Sequence, residues 1–228
     1  IRDRKQDQED QNISSVMVSV FNSRGQMIIV QKGDITKLKN VDAIINAANG
    51  PLYHAGGVDK AIADAAGPSL DEECKQIIAK NNGLPIAAGK AVKTTAGKLP
   101  FKCVIHAIGP QYIDGNQRES PLLFSSILSS LRLANGECSS SVALPAISSK
   151  TYGFPLRHCT NIVVHAVKQF FADDPHGKLK KVVLLDMDEV VCQSFEREVL
   201  VDHRNQDVDN DDDDILNYEL PPLTAKWC

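Results

Sequence analysis

Short β-rich apolar runs alternate along this chain with longer stretches in which apolar residues recur at helical spacing. Val16–Phe21 and Met27–Gln31 are two apolar runs parted by Asn22-Ser23-Arg24-Gly25, the composition of a turn, so they predict a hairpin. Further strands are expected at 42–47, 90–94, 102–107, 141–146 and 181–187. Between them, Val58, Ile62, Ala65 and Ala66 share one face of a first helix, and Leu70, Cys74, Ile77 and Ile78 share one face of a second, with Pro68 separating the two. Ser120-Pro121 reads as a cap followed by proline in the first turn, after which Leu123, Ile127, Leu128 and Leu131 keep helical register. A further helix follows Pro155 with Cys159, Ile162, Val163, Ala166, Val167 and Phe170 as its stripe, and Glu189–Leu200 predicts a last one with Val190, Val191, Phe195 and Val199 inward. Strands alternating with helices specify an α/β fold, a largely parallel sheet covered on its faces.

The ends break this pattern. Residues 1–14 are polar and without periodicity, and read as a linker; residues 202–228 hold eight acidic residues against Arg204 and Lys226, including the run Asp207–Asp214, and read as an acidic tail or linker. The expected domain is therefore 15–201. Because the chain begins at Ile1 and not at Met, it is expected to be a segment of a longer protein. The overall charge of −4 is concentrated in that tail, so the folded part is nearly neutral and shows no dense Lys/Arg cluster for direct nucleic-acid binding. Hydrophobic residues make up 43% of the chain, enough for a core, yet no run is long enough for a membrane span. The six cysteines form no Cys-x-x-Cys pair and no cluster with histidine, which argues for reduced thiols and against a zinc site or disulfide framework.

Three segments at strand ends carry residues that packing alone does not require. Gly33-Asp34-Ile35-Thr36 puts a carboxylate where it can accept a hydrogen bond from an exocyclic amine such as that of adenine, or simply cap the next helical turn. Asn46-Ala47-Ala48-Asn49, followed by Gly56-Gly57-Val58-Asp59 at a helix opening, places exposed backbone N–H groups and a helix dipole where a diphosphate can sit. Asn46 and Asn49 there serve either a ligand or the bracing of a turn. The stretch is neither a P-loop nor a Gly-x-Gly-x-x-Gly fingerprint. Leu144–Pro155 repeats the strand, loop and helix arrangement, and Tyr152 or Phe154 offers a flat face for a ribose, or else belongs to the core.

Taken together and in order, Gly33–Thr36, Asn46–Asn49, Gly56–Asp59, Ala65–Pro68, Val104–Pro110, Pro145–Ser149 and Tyr152–Pro155 closely resemble the macrodomain family over roughly residues 16–200. The resemblance implies a three-layer α/β/α sandwich around a mixed, mostly parallel sheet, with ADP-ribose lying across its crest. By similarity, Asp34 and Ile35 read the adenine, Gly56, Gly57 and Val58 hold the diphosphate from one side, and Ser149, Lys150, Thr151, Tyr152, Gly153 and Phe154 hold it from the other. Asn49 contacts the distal ribose. No metal and no cofactor is implied, since oriented amides supply the positive field.

Asp59 stands where the MacroD-type branch, which removes mono-ADP-ribose from acidic side chains, carries an aspartate, and where many non-cleaving readers have a small residue. The resemblance thus implies a hydrolase of mono-ADP-ribosylated proteins with Asp59 and Asn49 at the chemistry. A second reading is a reader module of a larger protein that docks on ADP-ribosylated partners, and a third is a scaffold that has lost the ligand. Placement in the nucleus or cytosol follows from the family and the thiols. Three departures stand out: Ala55 in place of a third glycine, Lys150 in place of a glycine in the second phosphate loop, and Met187 about where an aromatic stacks on adenine. A glycine in such a loop often takes φ > 0 or yields space, so Lys150 either obstructs the phosphates or adds a charge to them.

Overall fold

The computed structural model describes residues 15–137 and 139–201. The linker and the acidic tail expected at 1–14 and 202–228 lie outside the described residues, as do Cys138 and Cys228. β1 (Ser15–Phe21) and β2 (Met27–Lys32) form the expected hairpin, and Asn22 Oδ1 holds its turn by accepting from the Arg24 and Gln26 amides. Then follow β3 (Ala43–Ala48), α1 (Gly57–Ala66), α2 (Pro68–Lys80), β4 (Ala91–Thr94), β5 (Cys103–Ile108), α3 (Glu119–Gly136), β6 (Ser141–Leu144), α4 (Leu156–Asp173), β7 (Lys181–Asp186) and α5 (Glu189–Leu200).

The strands make one mixed sheet in the order β1-β2-β7-β6-β3-β5-β4, antiparallel at the two outer pairs and parallel between them. The two-residue repeat of a strand divides the apolar side chains between two cores. Ile44, Val104, Ala143 and Val183 meet Ile62 and Leu70 of α1 and α2 on one face. Ile45, Ile105, Val142 and Val182 meet Leu131, Ile162 and Phe195 of α3, α4 and α5 on the other. The result is the three-layer sandwich that the sequence implied.

Several strand ends shift by one residue, and two boundaries differ from expectation for a local physical reason. β6 stops at Leu144, because Pro145 has no N–H with which to extend the ladder. α3 starts at Glu119 and not after a Ser120 cap: Arg118 enters it in a left-handed conformation, and the Glu119 carboxylate accepts the amides of Ile113, Asp114, Gly115 and Gln117. Ser120 turns inward, its Oγ 3.1 Å from His158 Nε2.

The topology decides where a ligand can bind. β3 and β6 are parallel neighbours, yet the chain leaves β3 toward α1 on one face and leaves β6 toward α4 on the other. Connections that part in this way leave a crevice at the carboxyl ends of the strands. At the amino ends the same strands are tied together by Asp42, whose Oδ2 accepts from Ser140 N and Oγ and whose Oδ1 is 3.1 Å from Lys102 Nζ. Burial works against the Asp42 charge, but the Ser140 bonds and Lys102 prevail and hold the carboxyl at about 2.

Two outcomes follow from this packing. Ile105 is fully buried in β5, and Ile105→Ala should cost about 2–5 kcal/mol in urea unfolding with little change in the denaturant slope. Since the folded carboxyl of Asp42 lies below the ordinary value of about 4, its contribution is present above that pH and is lost as pH falls toward 2. Asp42→Asn should therefore lower stability at neutral pH by roughly 1–2 kcal/mol and flatten the stability curve between about pH 4 and pH 2, measured by unfolding across that range.

Candidate functional site

The crevice at the β3/β6 switch point is a groove of about 390 Å³, walled by residues 47–49, the opening of α1, the loop after β6, and Asp186. No side chain caps the amino end of α1 at Gly56, so its first amides are free to meet an anion and the helix dipole reinforces them. Gly57 has φ 59°, which only glycine adopts without strain, and a β-carbon at Gly56 would meet nothing within 4 Å, so the backbone here is bare toward the groove. Across the groove, the left-handed residues of the loop after β6 are Ser148 (φ 68°) and Gly153 (φ 69°), not Lys150. A β-carbon at position 150 therefore costs no backbone strain. The Ser148 hydroxyl is buried in the groove wall without a hydrogen-bond partner among the described residues.

Asp59 sits in the first turn of α1 and is 6% exposed, lining the groove. Its Oδ1 accepts from Asn46 Nδ2 at 2.6 Å and meets His54 Nδ1 at 2.9 Å. Both contacts fall on the same oxygen, and Oδ2 has no hydrogen-bond partner among the described residues. Asn46 reaches Asp59 because it shares the strand face of Ile44 and Ala48, the face on which α1 packs. Beneath it the β3–β5 register sets His106 directly opposite, with Nδ1 3.2 Å from Asn46 Nδ2 and Nε2 3.0 Å from Thr94 Oγ1.

The two histidines are driven in opposite directions. The Asp59 contact, with a further contribution from Cys74 and against the cost of burial, raises His54 to about 10, so its imidazolium is kept at neutral pH. Its Nε2 lies 3.1 Å from Asp71 Oδ1, an ionic contact out of line for a hydrogen bond. His106 is fully buried, and burial lowers it to about 4, so it stays neutral. Asp59 is thereby held between a cation at its rim and a neutral amide below. A larger cavity of about 780 Å³ lies beyond His54, between α1 and α2, but neither Asp59 nor the loop after β6 lines it.

The structure places the residues singled out from sequence as follows. Asn49, Gly56, Gly57, Val58, Asp59, Lys150, Thr151 and Tyr152 all line the groove. The Asn49 side chain also braces its own turn, Oδ1 accepting from Tyr53 N and Nδ2 donating to Tyr53 O. Asp34 caps a single 3₁₀ turn, its Oδ1 accepting from Thr36 N and Oγ1, while Oδ2 lies 3.9 Å from Lys37 Nζ. Asp34 and the buried Ile35 lie outside the groove wall but adjoin it, since Gly33 N donates to Asp186 O. Of the two aromatics offered as a flat face, Tyr152 lines the groove, whereas the Phe154 ring is core, 4.9 Å from Tyr112 and 5.2 Å from His158 between centroids. Ser149 donates its hydroxyl to Ala146 O, Gly153 N donates to Lys150 O, and neither residue forms part of the wall. Ala55 lines the groove, and Met187 is 65% exposed outside it.

Sequence reasoning missed His54, His106 and Asp186. A histidine inside the apolar strand Val104-Ile105-His106-Ala107 was a legible signal, because a polar group in a buried strand must find a partner. His54 and Asp186 gave none; only the fold brings them to Asp59 and to Lys150. The four described cysteines, Cys74, Cys103, Cys159 and Cys192, are buried free thiols, and no helix among the described residues is long and apolar enough to cross a membrane.

Known proteins carry the same architecture. The chain is 44% identical over 170 residues to the O-acetyl-ADP-ribose deacetylase of Citrobacter koseri, covering 75% of this chain and 93% of that protein. It is 40% identical over 176 residues to the human protein mono-ADP-ribosyltransferase PARP14, covering 75% of this chain but 9% of that much longer protein. The solved structure of an Oceanobacillus iheyensis macrodomain with ADP superposes with a TM-score of 0.74 at 29% identity, covering 81% of this chain and 96% of that one. The Macro domain model itself matches residues 45–163, from β3 through the groove and into α4. By sequence and fold, the chain belongs to the macro domain family.

Proposed function

We propose that the groove binds ADP-ribose and that the chain hydrolyses single ADP-ribosyl groups from modified proteins, cutting an ester between a carboxyl group and the distal ribose. The observation that carries this reading is Asp59: a carboxylate at the wall of the groove, pinned through one oxygen and free at the other. The diphosphate lies between the uncapped amides of α1 and the loop after β6, the adenine toward Asp34 and Asp186, and the distal ribose toward Asn49 and Asp59. Asp34 Oδ2, turned away from Thr36, is the oxygen available to the adenine amine.

In the reaction, a water held by Asp59 Oδ2 attacks the acyl carbon while giving its proton to that oxygen. The ester C–O bond breaks, the departing ribose oxygen takes up a proton, and the products are the free carboxyl side chain and ADP-ribose. An acetyl group on ribose is the same class of ester, which is why similarity to an O-acetyl-ADP-ribose deacetylase supports this chemistry. Proteins modified on Asp or Glu in the nucleus or cytosol are the substrates this proposal implies. The competing reading, a module that docks on ADP-ribosylated proteins without cleaving them, draws on one feature: both polar atoms of the Asn49 side chain are occupied by Tyr53.

Titration calorimetry with ADP-ribose should give an affinity of about micromolar or better. Incubated with an automodified transferase, the wild-type chain should strip the label, and Asp59→Asn should slow release by about a hundredfold or more while leaving ADP-ribose affinity within a few fold. Retention of full label by the wild type, with binding intact, would establish the reader.

A further inference from the structure

Among the described residues the basic side chain in the groove wall is Lys150, set against two acids, Asp59 and Asp186. Its Nζ lies 2.8 Å from Asp186 Oδ1, so it reaches from the loop after β6 to the end of β7. The two partners differ in freedom. Asp186 is 11% exposed and fixed, because its Oδ1 also accepts from Asp188 N and its carbonyl accepts from Gly33 N. Lys150 is 61% exposed on a long flexible stem and no φ constraint holds it. An ion pair with one partner so exposed contributes little and costs little to break.

A diphosphate presents a different balance. It brings two negative charges to a groove where the fixed amides at α1 are uncapped, and a lysine shared with it makes charge-assisted bonds that a single carboxylate does not match. Resting on the reading of the groove as an ADP-ribose site, we propose that Lys150 and Asp186 form an exchangeable counterion pair. In the free protein Asp186 parks the lysine at the nucleotide end of the groove, and the incoming diphosphate takes Lys150 from it. Lys150 is then the residue that selects two linked phosphates over a nucleoside alone, and Asp186 sets what the ligand must outcompete. The lysine in place of glycine is thus an added recognition element and not a plug.

The test is titration of ADP-ribose into the wild type, Lys150→Ala, Lys150→Arg, Asp186→Asn and the Lys150→Ala/Asp186→Asn double variant, each at about 50 mM and about 500 mM salt. Lys150→Ala should weaken binding by about five- to tenfold and flatten its salt dependence, and Lys150→Arg should restore both. Asp186→Asn keeps an oxygen for the Asp188 amide but releases the lysine, so it should tighten binding severalfold, an effect that disappears in the double variant. Adenosine, which lacks phosphate, should bind no more weakly to Lys150→Ala than to the wild type. Tighter binding by Lys150→Ala, or an Asp186→Asn effect that persists without Lys150, would overturn the exchange. Binding by Lys150→Ala but not by the wild type would do so while leaving the ADP-ribose reading intact, whereas silence from all five proteins would remove both.

Discussion

A carboxylate set at the edge of an apolar core can stay there only if its charge and lone pairs are met, and much of this site follows from meeting them for Asp59. The helix dipole at the opening of α1 supplies part of the compensation, Asn46 supplies a hydrogen bond from the strand below, and the His54 imidazolium supplies the countercharge. Each partner brings a requirement of its own. Asn46 must lie on the α1 face of β3, His106 must sit opposite it in register as a neutral ring, and His54 must leave the loop at the angle that reaches both Asp59 and Asp71. The catalytic candidate therefore sits between the His54 rim and a polar column that runs through Asn46 and His106 into the sheet.

The same column accounts for the asymmetry of the groove. On the β3 side, positive potential comes from amides and from a histidine committed to Asp59, so that wall is rigid. On the β6 side, Pro145 ends the strand, the loop turns through left-handed Ser148 and Gly153, and the exposed Lys150 is held by Asp186. In the function proposed above, the fixed wall orients the chemistry and the adjustable wall answers the phosphates. Both depend on the parting of the chain at β3 and β6, without which the opening of α1 and the loop after β6 would not face each other.

The family resemblance also shows how local departures are absorbed. Lysine where a glycine is common looks like a strained residue when read along the chain, yet the positive φ values fall two residues before it and three after it. Phe154 looks like a ligand face and is core, because the turn that exposes Tyr152 rotates the next aromatic inward against Tyr112 and His158. In both cases the backbone path, and not the residue type, decides the role.

The sequence by itself determined the layer order, the strands and helices to within a few residues, and the segments that make the groove, since periodicity, turn composition and helix openings are local properties. It also identified Asp59, Asn49, the paired glycines and Lys150 as groove residues. What only the tertiary structure decided was pairing across the chain: Asn46 and His54 on Asp59, His106 opposite Asn46, and Asp186 on Lys150. These contacts join residues set apart by strand register and crossover, and whether a side chain is a ligand contact, a counterion or core depends on neighbours that no local pattern encodes.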